Sequence, residues 1–237
     1  MPGAHAAPAA GPALSIVVPV LDEAAGIVPV LQALAPLRAR GAELIVVDGG
    51  SRDATPTLAA PLCDHLLQPG PAGRGRARQM NAGAAVARGA VLLFLHADTR
   101  LPEGADGLIA AALAQGAHWG RFDVHIEGRS AWLPVVAALM NLRSRWTGIA
   151  TGDQALFVRR ALFEQLGGYP DQPLMEDVEL SVRLRRTGRP ACLRARVATS
   201  GRRWDRHGAL RTIWLMWTLR WRYWRGTPAE VLAQAWR

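Results

Sequence analysis

The sequence predicts an α/β fold with a mostly parallel central sheet and helices on both faces. Apolar runs of strand length recur at 14–20, 43–48 and 91–95. Each is continuously apolar instead of alternating, as befits strands buried on both faces. Helix-forming stretches separate them, which is the pattern of a parallel sheet built from β-α-β units.

Taken in order, residues 1–13 are mostly Ala, Pro and Gly and carry no packing signal, so a disordered tail is expected. Strand 14–20 leads to a helix over 27–40, with Pro29 tolerated in its first turn. Strand 43–48 ends in Asp48, followed by a Gly-Gly-Ser turn, a short helix from Thr55 and a weak strand at 64–67. A helix over 75–88, strand 91–95 and a helix over 103–115 follow. The second half reads as strand 118–126, helix 130–141, strand 155–158, a helix ending near Gly167-Gly168, helix 175–186 and strand 191–199. Glu176, Asp177 and Glu179 fall in the first turn of helix 175–186, where carboxylates suit the helix dipole. Residues 14–204 form the expected domain, and 205–237 a basic, Trp-rich helical segment.

Composition narrows the function classes. Half of the 237 residues are hydrophobic and a fifth are charged, enough apolar material for a core. Two cysteines, Cys63 and Cys192, exclude a disulfide scaffold and a multi-cysteine zinc module. No apolar run reaches the ~18 residues of a membrane span. The first basic residue is Arg38, so no secretory signal is expected and a cytoplasmic setting is the default. Charge is unevenly placed: residues 1–173 hold 14 Arg and 14 acids, whereas 174–237 hold 14 Arg and 5 acids, the whole net +9 of the chain. A basic segment of this kind meets phosphate, nucleic acid or an anionic membrane.

In open parallel sheets ligands bind at the carboxyl ends of the strands. This chain places Asp22-Glu23, Asp48 and His96-Ala97-Asp98 there. A carboxylate beside glycines, such as Asp48, can accept hydrogen bonds from a base or ribose, or it can cap its own turn with Ser51 and Asp53. At the start of helix 75–88, Arg76 and Gln79 can reach a phosphate or base aided by free amides, or can form a solvated helix face with Asn81 and Gly83 packed close.

Five segments in this order, Val18–Glu23, Val46–Asp53, Gly75–Gly83, Phe94–Thr99 and Met175–Leu180, resemble family 2 glycosyltransferases of the GT-A fold. The resemblance runs from Leu14 to Trp204 and is strongest to small single-domain bacterial members, including carotenoid-acid (diaponeurosporenoate-type) glycosyltransferases. It implies a Rossmann-like GT-A sandwich and inverting transfer of a sugar from a nucleotide-diphosphate donor to a hydroxyl or carboxyl acceptor, including lipid-like ones. It implies donor contacts from Pro19, Glu23, Asp48, Ser51, Asp53, Arg76, Gln79, Asn81, Ala97 and Asp98. Asp98 matches the last carboxylate of an Asp-x-Asp motif that holds Mn²⁺ or Mg²⁺, while His96 replaces the first. Imidazole suits Mn²⁺ better than Mg²⁺. Asp177 matches the base that takes the acceptor proton, supported by Glu176. Gly152 and Asp153, within Thr151–Gln154, match an acceptor-facing turn. Arg202-Arg203-Trp204 resembles a reduced Gln-x-x-Arg-Trp motif with Ser200 at the Gln position, which argues against processive synthesis. Arg203 and Trp204 are the expected diphosphate contacts, and His207 a further metal candidate.

Within 209–225, Trp214, Trp217, Trp221 and Trp224 recur at spacings of three, four and three, forming one helical stripe. With Arg211, Arg222 and Arg225 the segment suits peripheral contact with an anionic membrane, or the stripe packs on the domain. Two other classes compete. A nucleotidyltransferase requires a basic phosphate loop near the first strand, which Val18–Glu23 lacks. A nucleic-acid module, disfavoured, leaves the strand-end carboxylates without a role.

Overall fold

The computed structural model describes residues 13–236, apart from the side chains of residues 207, 209 and 210. Most of the expected tail thus lies outside the described residues. Strands β1 (Leu14–Val20), β2 (Glu43–Asp48), β3 (His65–Leu67) and β4 (Val91–Phe94) pair in parallel in the order β3-β2-β1-β4. Beyond β4 the sheet continues through β7 (Phe157–Arg159), β6 (Trp119–Glu127), β8 (Ala191–Ser200) and β5 (Thr99–Arg100). β7 runs antiparallel to both neighbours and β5 antiparallel to β8, so the eight-stranded sheet is mixed beyond its parallel first half.

Adjacent residues of one strand serve opposite faces, as the two-residue period demands. On β1, Ile16, Val18 and Val20 join one core with Ile27 and Leu31 of α1 (Ile27–Ala33), Leu37 of α2 (Ala35–Ala39), Ala59 of α3 (Thr55–Ala59) and Ile109 of α5 (Ala105–Ala114). Val136 and Met140 of α6 (Leu133–Thr147) extend that core over Phe122 and Val124 of β6. Val17 points the other way, into a core with Met80 of α4 (Arg76–Val86), Phe163 of α7 (Arg160–Gln165) and Leu180 of α8 (Glu176–Arg185). α4 lies close on the sheet because Gly83 has no side chain: a Cβ there would sit 2.4 Å from Val17 Cγ1.

Three differences from expectation have local causes. The helix expected over 27–40 divides at Leu34, where Pro36 in the first turn of α2 supplies no amide to the preceding turn. α6 runs to Thr147, two turns past expectation, and ends on Gly148 in the left-handed region. The basic end holds three helices: α9 (Arg202–His207), α10 (Ala209–Trp224) and α11 (Ala229–Trp236). α10 and α11 bury Leu219 and Leu232 against Met175, beside Leu174 and Val178. The tryptophan stripe does not pack on the domain: Trp214, Trp217, Trp221 and Trp224 are 72%, 68%, 59% and 80% exposed.

Candidate active site

The loops after β1, β2 and β4 meet at the carboxyl edge of the parallel strands. Asp48 is 3% exposed and accepts from the amides of Gly50 and Ser51 and from the Ser51 hydroxyl, so it caps its own turn. Ser51 Oγ in turn accepts from the Asp22 amide at 2.9 Å, and Asp22 Oδ1 from the Arg52 amide at 2.8 Å. Asp53 clamps the same two loops, accepting from the amides of Ala24 and Thr55. The hydroxyl of Thr55, bonded to Asp53, also accepts from the Glu23 amide at 2.8 Å. These hydrogen bonds hold the Asp53 carboxyl below its ordinary range, with the Thr55 hydroxyl contributing most. Asp48, Ser51 and Asp53 therefore shape the edge by joining its loops.

Several expected donor contacts are engaged elsewhere. Gln79 is buried, and its Nε2 donates to the carbonyls of Val20 and Val47, both at 2.8 Å, stapling β1 to β2. Asn81 exchanges hydrogen bonds with the backbone of Tyr169 at 2.8 and 2.9 Å. Pro19 is buried in β1, and Ala97 is 7% exposed within the core. Arg78, which was not among the expected contacts, pairs bidentately with Asp171. Arg76, half-exposed, faces inward, with Nη1 3.8 Å from Glu176 Oε1.

Asp98 and Glu23 are joined by a residue the motif comparison passed over. Arg202 Nη2 donates to Glu23 Oε2 at 3.1 Å and lies 3.8 Å from Asp98 Oδ2. Its neighbour Arg203 does not reach the site. One helical step turns it to the carbonyl of Trp236, with its guanidinium 3.4 Å from the centre of that indole ring. Trp204 is buried in the main core. Of the three residues Arg202-Arg203-Trp204, it is thus Arg202 that lies against Glu23 and Asp98.

His96 sits against the turn 152–154. Its Nδ1 lies 3.3 Å from Asp153 Oδ1, its ring lies so near Gly152 that a Cβ there would come within 2.3 Å, and its Nε2 is buried without a partner among the described residues. The side chain of His207 lies outside the described residues. Among the described residues no three His, Cys, Asp or Glu side chains converge as a metal cage. Asp98, 32% exposed at its side chain, fits a cation that arrives with a diphosphate and keeps its waters, as Mg²⁺ does.

Glu176 and Asp177 open α8. The Asp177 carboxylate is fixed by two backbone amides, Gly152 to Oδ2 and Val178 to Oδ1, both at 2.8 Å. Gly152 thus ties the turn 152–154 to Asp177. Burial, with the neighbouring Asp177 charge, raises the Glu176 carboxyl above its ordinary range against the opposing Arg76 charge. Burial also acts to raise Asp153, but its hydrogen bond to His96 and the charges of His96, Arg76 and Arg220 outweigh this and hold it low. Tyr169 is buried beside the pair; burial and the charges of Asp177 and Glu176 push its phenol well above 10, so it stays protonated. Nothing in its sequence surroundings signalled this.

Backbone strain marks the same places. Among the described residues, three non-glycine residues have positive φ: Asp22 at 53°, Ala155 at 48° and Met175 at 66°. Asp22 follows β1, Ala155 closes the turn 152–154, and Met175 precedes Glu176. Each such residue costs about 1–3 kcal/mol, and such strain clusters at functional sites.

The chain matches the sequence profile of Glycosyl transferase family 2 over residues 15–166. It is 33% identical over 174 residues to a PGL/p-HBAD biosynthesis glycosyltransferase of Mycobacterium tuberculosis, covering 68% of this chain and 64% of that relative's length. Its fold matches S. aureus TarS 1-349 in complex with UDP at TM-score 0.65 and 18% identity, over 79% of this chain and 60% of that one. It likewise matches the mannosyltransferase PcManGT of Pyrobaculum calidifontis in complex with GDP-Man and Mn²⁺ at TM-score 0.60 and 21% identity, over 79% and 56%. By the profile match over most of its length and the 33% identical relative, the chain belongs to glycosyl transferase family 2.

Proposed function

We propose that the chain transfers a sugar from a nucleoside-diphosphate sugar to a hydroxyl or carboxyl group, with inversion at the anomeric carbon. The observation that carries this reading is the acid pair: Asp177 fixed by two backbone amides beside a buried Glu176 whose carboxyl is raised. Neighbouring carboxyls in environments that push them apart divide the acid and base roles. Glu176 holds its proton to higher pH than an ordinary carboxyl, and we assign the base to Asp177, whose carboxylate is fixed by the two amides. Asp177 takes the acceptor proton as the acceptor oxygen attacks the anomeric carbon, and the nucleoside diphosphate departs from the opposite face. Arg202 and Arg76 supply positive charge to the donor's phosphates. Asp98 would hold a divalent cation, which when bound neutralises charge on the departing diphosphate.

The ligands of the two structures of similar fold, UDP in one and GDP-Man with Mn²⁺ in the other, support a nucleotide donor and a metal without choosing the base. We further read the acceptor as lipid-like, reached from an anionic membrane surface through residues 209–225. The four exposed indoles of α10 support this, because tryptophan favours the membrane interface.

The test is a thermal-shift panel of UDP, GDP, CDP and dTDP, each with and without Mn²⁺. A ligand that binds only the folded chain raises its Tm. One nucleotide is expected to do so, more strongly with Mn²⁺, and Asp98→Ala to lose the Mn²⁺ increment. No shift with any nucleotide would overturn the donor site.

A further inference from the structure

Gly152 is a glycine for a reason its backbone does not supply. It is not among the glycines of positive φ, so its conformation alone does not call for one. A Cβ at 152 would lie 2.3 Å from both Cε1 and Nε2 of His96, and the three nearest atoms to it all belong to that imidazole. The close approach of His96 is what excludes a side chain here.

His96 reaches this place from the loop after β4, with its side chain 11% exposed. Its Nδ1 faces Asp153 Oδ1 at 3.3 Å, while Cε1 and Nε2 press on Gly152. One ring thus meets two successive residues of the turn 152–154. The ends of that turn are held separately. Thr151 and Gln154 are buried and cap each other reciprocally, and Gln154 Nε2 lies 3.4 Å from Asn141 Oδ1 of α6. Between these holds, the Gly152 amide donates to Asp177 Oδ2 at 2.8 Å. A packed ring fixes whatever lies against it, because close-packed interiors transmit small displacements. The carboxylate beside Nδ1 favours the tautomer with its proton there, which leaves Nε2 a buried acceptor without a partner among the described residues. Leaving such an atom unpaired costs stability, so a ring kept there serves something besides stability.

We propose that His96 is a positioning residue for the base: by pressing on Gly152 and facing Asp153 it sets the turn whose amide fixes the Asp177 carboxylate. His96 stands two residues before Asp98, so one short segment after β4 carries both the carboxylate at the donor edge and the brace of the acid pair. The proposal rests on the transfer reading for what Asp177 does; the brace itself is measured without turnover.

The experiment uses the whole chain as wild type, His96→Ala, His96→Asn, Gly152→Ala and His96→Asn combined with Gly152→Ala. His96→Asn keeps a nitrogen donor where Nδ1 stands and removes Cε1 and Nε2, the atoms a side chain at 152 would meet. One readout is hydrogen-exchange protection of the amide at position 152, by NMR, with the amides of β2 as reference. The other is release of nucleoside diphosphate from a sugar nucleotide. His96→Ala and Gly152→Ala are each expected to lower protection at 152 by about tenfold while β2 keeps its own, since a local brace opens locally. Each is expected to lower kcat by about 10–100-fold with KM for the sugar nucleotide unchanged, the cost of a misplaced catalytic group. His96→Asn is expected to recover most of what His96→Ala loses. Adding Gly152→Ala to His96→Asn is expected to cost no more than about twofold further, because the two positions are coupled through contact. Unchanged protection at 152 in His96→Ala, or a Gly152→Ala loss equally large in both backgrounds, overturns the brace. So does loss of the Mn²⁺ increment in Tm by His96→Asn, which would make the ring a metal ligand. If wild type turns over no sugar nucleotide, the transfer reading fails and the protection measurements still decide the brace.

Discussion

Glu176 is 4% exposed, and its neutral form is favoured by burial and by the adjacent Asp177. A carboxyl raised in the folded state binds more protons folded than unfolded as pH climbs above its ordinary value of 4.5. Stability therefore falls as pH rises from there through the raised folded value. Glu176→Gln keeps the shape and removes that ionisation, so its Tm is expected to match wild type near pH 4 and exceed it at pH 8. Chemical denaturation at both values checks this, and a variant equally destabilised at both would show that Glu176 is held charged. The acid pair, Asp98 and Gly152 were legible as residue types at fixed spacings, because their surroundings are local: a strand end, a helix start, a tight turn. Arg202 was not distinguished from Arg203, since which of two adjacent arginines faces Glu23 and Asp98 is set by the phase of α9. Tyr169 was invisible for a stronger reason. It is packed on Phe94 and hydrogen-bonded through its backbone to Asn81, residues more than 70 positions away that only packing brings near.

β6 carries a second feature that spacing could not show. Arg121 is fully buried and donates to Asp123 two residues on, across a bulge between Phe122 and Asp123. Arg145 of α6 donates to the other oxygen of Asp123 and to the Cys192 carbonyl at 3.1 Å, tying α6 to β6 and β8. Removing one member leaves buried charge without its partner, so Asp123→Ala is expected to cost about 3–5 kcal/mol. Urea unfolding measures the loss; a cost below about 1 kcal/mol, the range of an exposed pair, would show that water reaches this network. The parallel half of the sheet was legible because continuously apolar strands leave little choice of environment. β5 was not, at two residues, and α11 was not separated from the basic end, because its burial depends on Leu232 meeting Leu219 and Met175. The same dependence explains the tryptophan stripe of α10. Periodicity announces an amphipathic helix but not which face turns inward, and here Leu215 and Leu219 pack while the indoles remain outside.

At the scale of the molecule, one sheet edge gathers Glu23, Asp98 and Arg202, and two helices, α6 and α10, carry exposed apolar stripes. No helix among the described residues is long and apolar enough to cross a membrane, and the contact proposed for α10 is interfacial. Flotation with phosphatidylcholine vesicles containing phosphatidylglycerol is expected to carry the chain upward, and replacing Trp217 and Trp221 with Ser to reduce binding by about tenfold or more, given the apolar area removed. A chain that stays at the bottom of the gradient would remove the membrane from the scheme and leave a water-soluble acceptor. The most direct measurement is release of nucleoside diphosphate from UDP-glucose, UDP-GlcNAc and GDP-mannose with a bacterial lipid extract as acceptor source, comparing wild type with Asp177→Asn. Wild type is expected to release diphosphate from the sugar nucleotide whose base stabilises it. Asp177→Asn is expected to lose about 10²–10⁴-fold in rate while keeping the same nucleotide-induced rise in Tm. Release at the wild-type rate by Asp177→Asn would contradict Asp177 as the base.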